Sequence, residues 1–326
     1  MPLRPRPKIV ENISVLEFFN AGREQLKMSI VAGERGIKSI VRDKSINRPA
    51  LALTGYYKSF ATKRVQVFGA GEIAYLRDIK EDKQYKVLTE IARRHIPCMI
   101  VTRNLVPPQS MIEVANENDT PLIRTSLSTR DYLAASTLLL EDMFAPRVSE
   151  HGTLMDVKGI GVLIRGDSGV GKSECALALV ERGYSLVADD KVNIKLINER
   201  ELVGTSNTIN RGYMECRGLG IINIAELFGI RSVRIEKNIN LVVTFTEWKQ
   251  SDQDEERTGL EQEYFEMLGI NVPHIRFAVK PGRDLARLVE VASMVQALKL
   301  IGHDSAKEFN ERLIQQMTPD FPIDSI

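Results

Sequence analysis

Along the first 145 residues, short apolar runs alternate with stretches in which apolar positions recur every three or four residues. The runs lie in "RPALALTGYY", "RVQVFGAGEIAYL", "PCMIVTR" and "TPLIRTS", and they have the length and composition of strands. The periodic stretches, "DKQYKVLTEIARRH", "PPQSMIEVANEN" and "STRDYLAASTLLLEDMF", predict helices. Pro107 and Pro108 stand where a helix can begin, because the first turn needs no N–H from proline. A further helix is predicted in "SVLEFFNAG": Ser14 and Glu17 have the spacing of a capping box, and Gly22 ends it. This alternation predicts an α/β domain with a largely parallel sheet. "FGAGEIAYL" lacks the third glycine of a dinucleotide fingerprint in register and is not read as one.

The pattern changes at Pro146, which ends the long helix. The polar, glycine-rich "APRVSEHGTLMDVKGIGVLIRGD" follows, and the domain boundary is placed there, giving domains 1–146 and 147–326. Strand signals in the second domain fall at 161–165, 185–189, 192–197, 231–236 and 239–246. "EWKQSDQDEERTGLEQEYFE" is densely charged and reads as a loop or connection. After "FAVKPGRD", two helices are predicted in "LARLVEVASMVQALKLIG" and "SAKEFNERLIQQM".

Composition narrows the class. The chain has 326 residues, 43% hydrophobic and 27% charged, as expected of a soluble globular protein. A net charge of +1 provides no global attraction for nucleic acid or an anionic membrane, so neither partner is expected. No apolar run approaches the roughly 18 residues of a membrane span, and "MPLRPRPKIVENISV" has no apolar signal-peptide core. Cys98, Cys175 and Cys216 are odd in number and widely spaced, forming neither a disulfide framework nor a metal pattern. A reducing cytoplasm is the expected location.

The chemistry concentrates in "GVLIRGDSGVGKSECALALVERG", Gly161 to Gly183: an apolar strand, a glycine-rich turn, then a helix. Gly166, Asp167, Ser168, Gly169, Val170, Gly171, Lys172 and Ser173 have the spacing of a phosphate-binding loop. Glycines let successive N–H groups point at one anion, and the helix beginning near Lys172 adds its positive end. Lys172 can reach the β and γ phosphates, and the Ser173 hydroxyl is placed to ligate Mg²⁺. Downstream, "YSLVADDKVNIKL" brings Asp189 and Asp190 to the end of an apolar strand. One of these acids can hold the metal's water and the other accept a proton, unless both only cap a turn. "RGYMECRGLGIINI" sets Glu215 and Arg217 beside a glycine turn, suiting a metal ligand and a phosphate clamp, or a surface ion pair. The guanine-binding signature and the "HRD" and "DFG" triplets of common protein kinases are missing from the sequence.

"HGTLMDVKGIGVLIRGDSGVGKSE", "LVADD", "ECRGLGIINI" and "VKPGRD", in this order and spacing, closely resemble bacterial HPr kinase/phosphorylase. The likeness is strongest from His151 to about Arg287 and more diffuse before it. It implies an N-terminal α/β domain of regulatory or scaffolding character. It implies a C-terminal P-loop kinase domain similar to phosphoenolpyruvate carboxykinase. The implied activity is Mg²⁺- and ATP-dependent phosphorylation of a serine on the phosphocarrier protein HPr. The reverse activity removes that phosphate with inorganic phosphate, yielding pyrophosphate, and both control carbon catabolite repression. A homohexamer and a sugar-phosphate effector such as fructose bisphosphate are also implied.

By position, the resemblance implies that His151, Lys172, Asp190 and Arg257 are catalytic and that the nucleotide loop is Gly166 to Ser173. Ser173 and Glu215 become the Mg²⁺ ligands, and Asp190 takes the serine proton forward and returns it in reverse. Lys280 and Asp284 depart from the arginine and asparagine of many members, and 250–256 is longer and more acidic, which bears on the register of Arg257. Lys280 and Arg283 are expected to help hold inorganic phosphate. The rival readings are a P-loop kinase of a small metabolite and a non-catalytic nucleotide-gated binding module.

Overall fold

The computed structural model describes residues 7–248, 262–280 and 282–317. The chain separates into two compact units, one formed by Ile9–Ala145 and the other by Pro146 onward with Lys8, whose N–H donates to the Arg147 carbonyl at 2.7 Å.

The first unit follows the alternation of its apolar runs. Its elements are β1 (Ile13–Ser14), α1 (Val15–Gly22), β2 (Met28–Ala32), β3 (Ile40–Val41), β4 (Ile46–Asn47), α2 (Ala50–Leu53), β5 (Val65–Phe68), α3 (Ala70–Asp78), α4 (Glu81–Ala92), β6 (Met99–Val101), α5 (Gln109–Glu117), β7 (Leu122–Thr125) and α6 (Thr129–Phe144). The main sheet has the order β2-β7-β6-β5-β4, parallel throughout except for the antiparallel edge β2. Its central strands are buried on both faces, as crossover helices on each side require. Val65, Val67, Ile100 and Ile123 pack with Phe18, Tyr132 and Leu140 on one face; Phe68, Met99 and Leu122 pack with Leu88, Ile91 and Val114 on the other. Ser14 and Glu17 form the expected capping box. One expectation fails: "RPALALTGYY" contains α2 rather than a strand. Pro49 has no N–H for a ladder, and its carbonyl accepts the Leu53 N–H at 3.0 Å, closing a helical turn.

The second unit is built on β8 (Arg147–His151), β9 (Thr153–Val157), β10 (Ile160–Gly166), α7 (Lys172–Glu181), β11 (Ser185–Ala188), β12 (Lys191–Ile197), β13 (Glu201–Thr205), β14 (Tyr213–Cys216), β15 (Gly220–Asn223), α8 (Ile224–Phe228), β16 (Glu236–Glu247), β17 (Glu263–Met267), β18 (Ile270–Val279), α9 (Leu285–Leu300) and α10 (Ser305–Met317). Among the described residues, the large sheet has the order β11-β9-β10-β16-β13-β12-β8, with β18 also on β16 and β17 on β18. The sheet curls. Glu150 on β8 meets Arg165 on β10 at 3.1 Å although three strands lie between them in the ladder order. Alternation along β10 and β16 fills both faces: Val162, Ile164, Leu241, Val243 and Phe245 pack with residues of α7 and α9, while Leu163 and Val242 pack inside the curl with Val187, Val192 and Ile194.

Here the sequence reading needs three corrections. The polar segment after Pro146 holds two strands, β8 and β9. The strand expected at 231–236 is only partly formed: a turn ends at Ser232, whose hydroxyl bonds the Gly229 and Ile224 carbonyls, Val233 then bridges Leu186 in parallel, and β16 begins at Glu236. The charged stretch before residue 267 ends in β17, whose Glu263 and Glu266 face solvent while Met267 is buried.

Candidate active site

Antiparallel pairing of β9 with both β10 and β11 makes β10 and β11 point the same way. Their carboxyl ends, Gly166 and Asp189, therefore lie on one edge of the sheet. The turn from β8 to β9, with His151, Gly152 and Thr153, lies on the same edge, and so does the start of β12. This topology gathers four stretches, remote in sequence, around the glycine-rich loop.

The loop itself follows from its glycines. Gly166, Gly169 and Gly171 have φ of 144°, 86° and 103°, values that side chains with a Cβ rarely adopt. At Gly166 a Cβ would also lie 2.6 Å from the Phe245 carbonyl oxygen. Gly171 caps α7, so the helix starts at Lys172 and its free N–H groups face the loop. Lys172 Nζ donates to the Gly166 and Asp167 carbonyls at 2.9 and 2.8 Å, which holds the ammonium against the loop.

A cleft of about 140 Å³ opens on this loop, lined by Ser168, Gly169, Gly171, Lys172, Ser173, Glu174, Asp189, Asp190, Glu215 and Arg217. Most of the residues expected in the site therefore meet there. Gly166, Asp167 and Val170 belong to the loop but are not among the lining residues. His151 reaches the cleft through Asp190, its Nδ1 lying 3.9 Å from the Asp190 carboxylate, and both side chains are more than four-fifths exposed. Asp190 adopts the left-handed region with φ 64°, and its carbonyl accepts the Gly152 N–H at 3.0 Å. Arg257 lies outside the described residues.

The two adjacent acids differ in setting. Asp190 is open to solvent, whereas burial pushes the Asp189 carboxyl above its ordinary range, opposed by hydrogen bonds from Thr153, Glu215 and Asp190. The Thr153 hydroxyl donates to Asp189 Oδ1 at 2.7 Å, and the Glu215 N–H donates to Oδ2 at 3.3 Å. Glu215 belongs to the β14–β15 hairpin, which anchors through Met214 and Cys216 in the core under α7. Arg217, two residues on, reaches the Ser168 hydroxyl at 3.3 Å, and its guanidinium covers Gly169.

The donors suit a hard cation bound together with phosphates. Among the described residues no cluster of three or more His, Cys, Asp or Glu side chains forms a metal cage. The Ser173 hydroxyl and the Glu215 carboxylate nevertheless face one cleft beside an anion cradle. Mg²⁺ is commonly held this way, by one or two protein oxygens with the remaining positions taken by phosphate and water. Cys175 is chemically quiet, because burial pushes its thiol up to about 12.

Thr153 was not singled out from the sequence, since its contact with Asp189 depends on strand pairing. The basic loop differs from expectation. Arg283 donates to the Ala278 carbonyl at 3.0 Å and Lys280 Nζ sits 4.7 Å from the Trp248 ring centroid; neither is among the lining residues. Asp284 caps α9 through the Arg287 N–H at 2.9 Å and pairs with Arg182 at 2.7 Å, so its carboxylate has a structural use here. Among the described residues no helix is long and apolar enough to cross a membrane.

A glycine-rich loop with a lysine, a hydroxyl and facing carboxylates is the kind of arrangement that suits phosphate, on a mixed α/β unit. Family comparison agrees: residues 142–313 match the HPr Serine kinase C-terminal domain and residues 13–140 the HPr Serine kinase N terminus. The HPr kinase/phosphorylase of Leptospira biflexa serovar Patoc is 43% identical over 291 residues, 89% of this chain and 90% of that protein. That of Caldicellulosiruptor bescii is 42% identical over 278 residues, 85% of this chain and 89% of that protein. A solved structure of the HPr(Ser) kinase/phosphatase from Coxiella burnetii shares 35% identity with a TM-score of 0.44, covering 50% of this chain and 99% of that one. The chain belongs to the HPr kinase/phosphorylase family.

Proposed function

We propose that this chain transfers the γ-phosphoryl group of ATP to a serine hydroxyl of HPr, and in reverse passes that phosphoryl group to inorganic phosphate, releasing pyrophosphate. Forward, the serine oxygen bonds to the γ-phosphorus, the bond to the β-phosphate oxygen breaks, and the serine proton passes to Asp190. In reverse, a phosphate oxygen bonds to the phosphoserine phosphorus, the serine C–O–P bond breaks at phosphorus, and Asp190 returns the proton to the serine oxygen. The observation that carries the reading is the convergence of the Lys172 loop with Asp190 and Glu215 on one cleft.

The places of the described residues support the tasks assigned to them. The loop N–H groups and Lys172 bind and orient the β and γ phosphates. Ser173 and Glu215 would hold Mg²⁺, which when bound offsets charge on the phosphate oxygens. Asp190 projects into solvent beside the loop, where the serine of a protein partner can reach it. His151, 3.9 Å away, orients that carboxylate. Arg217, against Ser168, is placed to clamp the phosphates, and Arg257 is taken as a further catalytic cation. Positioned proton transfer accounts for about 10²–10⁴-fold in rate, and fixed charge around the transferring group for the larger share.

In this reading residues 147–326 form a P-loop kinase/phosphorylase domain akin to phosphoenolpyruvate carboxykinase, and residues 1–146 regulate or scaffold it. The working form is a cytoplasmic homohexamer answering to a sugar phosphate and acting in carbon catabolite repression. Mass spectrometry of HPr incubated with the chain and MgATP, and then with added phosphate, tests the core of it. The expected result is an added phosphoryl group on one serine, lost again as pyrophosphate appears. An unmodified HPr alongside a phosphorylated small metabolite would overturn it.

A further inference from the structure

Asp189 lines the cleft, yet each of its carboxylate oxygens accepts a bond from the protein frame, Oδ1 from Thr153 and Oδ2 from Glu215. Its partner Thr153 is 1% exposed and sits on β9, the strand next to β11. The same carboxylate accepts the backbone N–H of Glu215 at 3.3 Å, and Asp190 follows it directly in the chain. Asp190 is tied in turn by its carbonyl to the Gly152 N–H, one residue before Thr153. The β14–β15 hairpin lies outside the main sheet and pairs only within itself among the described strands. Its apolar anchors, Met214 and Cys216, hold it to the core but allow sliding, since apolar contact is non-directional. The hydrogen bond from the Glu215 N–H to Asp189 is directional and sets where the Glu215 backbone lies along the sheet edge.

We propose that Thr153 and Asp189 are positioning residues. The threonine hydroxyl orients the Asp189 carboxylate, which then holds the backbones of Asp190 and Glu215 in register with the phosphate loop. Asp189 is thus a brace between the proton-accepting carboxylate and the metal-binding one, and does not itself touch the metal. The functional consequence rests on the proposed role of Glu215, whereas the brace can be measured without it.

The test uses the full chain and the variants Thr153→Val, Thr153→Ser and Asp189→Asn, with Glu215→Gln for comparison. Valine keeps the shape of threonine and removes its hydroxyl; serine restores the donor. An asparagine at 189 can still accept the Glu215 N–H and donate to the Thr153 oxygen. Amide hydrogen exchange of the ligand-free chain reads the brace: Thr153→Val should speed exchange at Glu215 by about tenfold and Thr153→Ser should restore it. Mn²⁺ binding in the presence of ADP, followed by electron paramagnetic resonance, reads the consequence. Affinity should fall about three- to tenfold in Thr153→Val, recover in Thr153→Ser, and stay closer to wild type in Asp189→Asn than in Glu215→Gln.

Unchanged exchange at Glu215 in Thr153→Val overturns the brace. So does an Asp189→Asn chain that loses Mn²⁺ as completely as Glu215→Gln while Thr153→Val keeps it, since Asp189 would then be a ligand. A wild-type chain that binds no Mn²⁺ with nucleotide would sink the metal reading, and the exchange measurement would still decide the brace. If Thr153→Val does not fold, the contrast between Asp189→Asn and Glu215→Gln decides.

Discussion

At the scale of single residues, neighbours in sequence have opposite surroundings. Asp189 is turned inward onto Thr153, while Asp190, in the left-handed region, is turned out toward His151. The left-handed turn at Asp190 separates a fixed carboxylate from a solvent-exposed one. Asp190→Asn should therefore depress phosphorylation and dephosphorylation of HPr together, by about 10²-fold or more, with ATP affinity retained. Initial rates in both directions and a nucleotide titration check this, and normal serine phosphorylation by the variant would remove Asp190 from its role. Lys172→Ala differs in kind, because it removes the ammonium held at the loop carbonyls. Both nucleotide affinity and turnover should drop, and equilibrium ATP binding with single-turnover kinetics separates the two effects.

At the scale of elements, the loop joining β10 to α7 depends on backbone shape more than on side chains. Gly166 combines φ 144° with a Cβ position 2.6 Å from the Phe245 carbonyl oxygen. Gly166→Ala must move either the loop or β16, at a cost of about 1–3 kcal/mol. Chemical denaturation should show that loss, and nucleotide affinity should fall with it because the N–H groups no longer converge. Full stability with full affinity would mean that the loop adopts another path. The β14–β15 hairpin is the complementary case: its exposed face carries Glu215 and Arg217, and its buried face only fastens it.

At the scale of the whole molecule, the curled sheet of the second unit places a buried histidine inside a charged network. His274 is 8% exposed, accepts or donates one bond with the Thr244 hydroxyl at 2.8 Å, and lies 3.4 Å from Glu263. Burial lowers its proton affinity, Arg276 and Arg165 add to the effect, and Glu263 opposes it. A depressed histidine is neutral in the fold. Above its ordinary value of 6.5 the folded and unfolded chains are alike in charge at this site. Below it the unfolded chain takes up the proton first, so stability declines until the folded value is passed. Melting temperatures recorded from pH 7.5 to 5.5 (about one unit either side of the ordinary histidine value) should fall, and less steeply for His274→Gln. An equal slope in the variant would place the acid sensitivity at other groups.

Much of this protein is written locally. Periodicity marks most of the helices and the parallel strands of the first unit, Ser14 and Glu17 announce a cap, and Gly166 to Ser173 announce an anion cradle, because each signal is carried by residues within a turn or two of one another. Strand pairing is not local. Thr153 meets Asp189 across 36 positions and the Glu215 amide meets Asp189 across 26, so a burial pattern alone cannot say which strands are neighbours. The same limit hid β8 and β17, polar-looking strands with few buried positions, and β9, whose residues are buried on both faces only once β10 and β11 flank it, and it left Lys280 and Arg283 expected at a cleft they do not line. Sequence alone determined which groups this protein has for handling phosphate; only the folded sheet edge decided which of them face one another, because directional hydrogen bonds and packing act over a few ångströms in space regardless of distance along the chain.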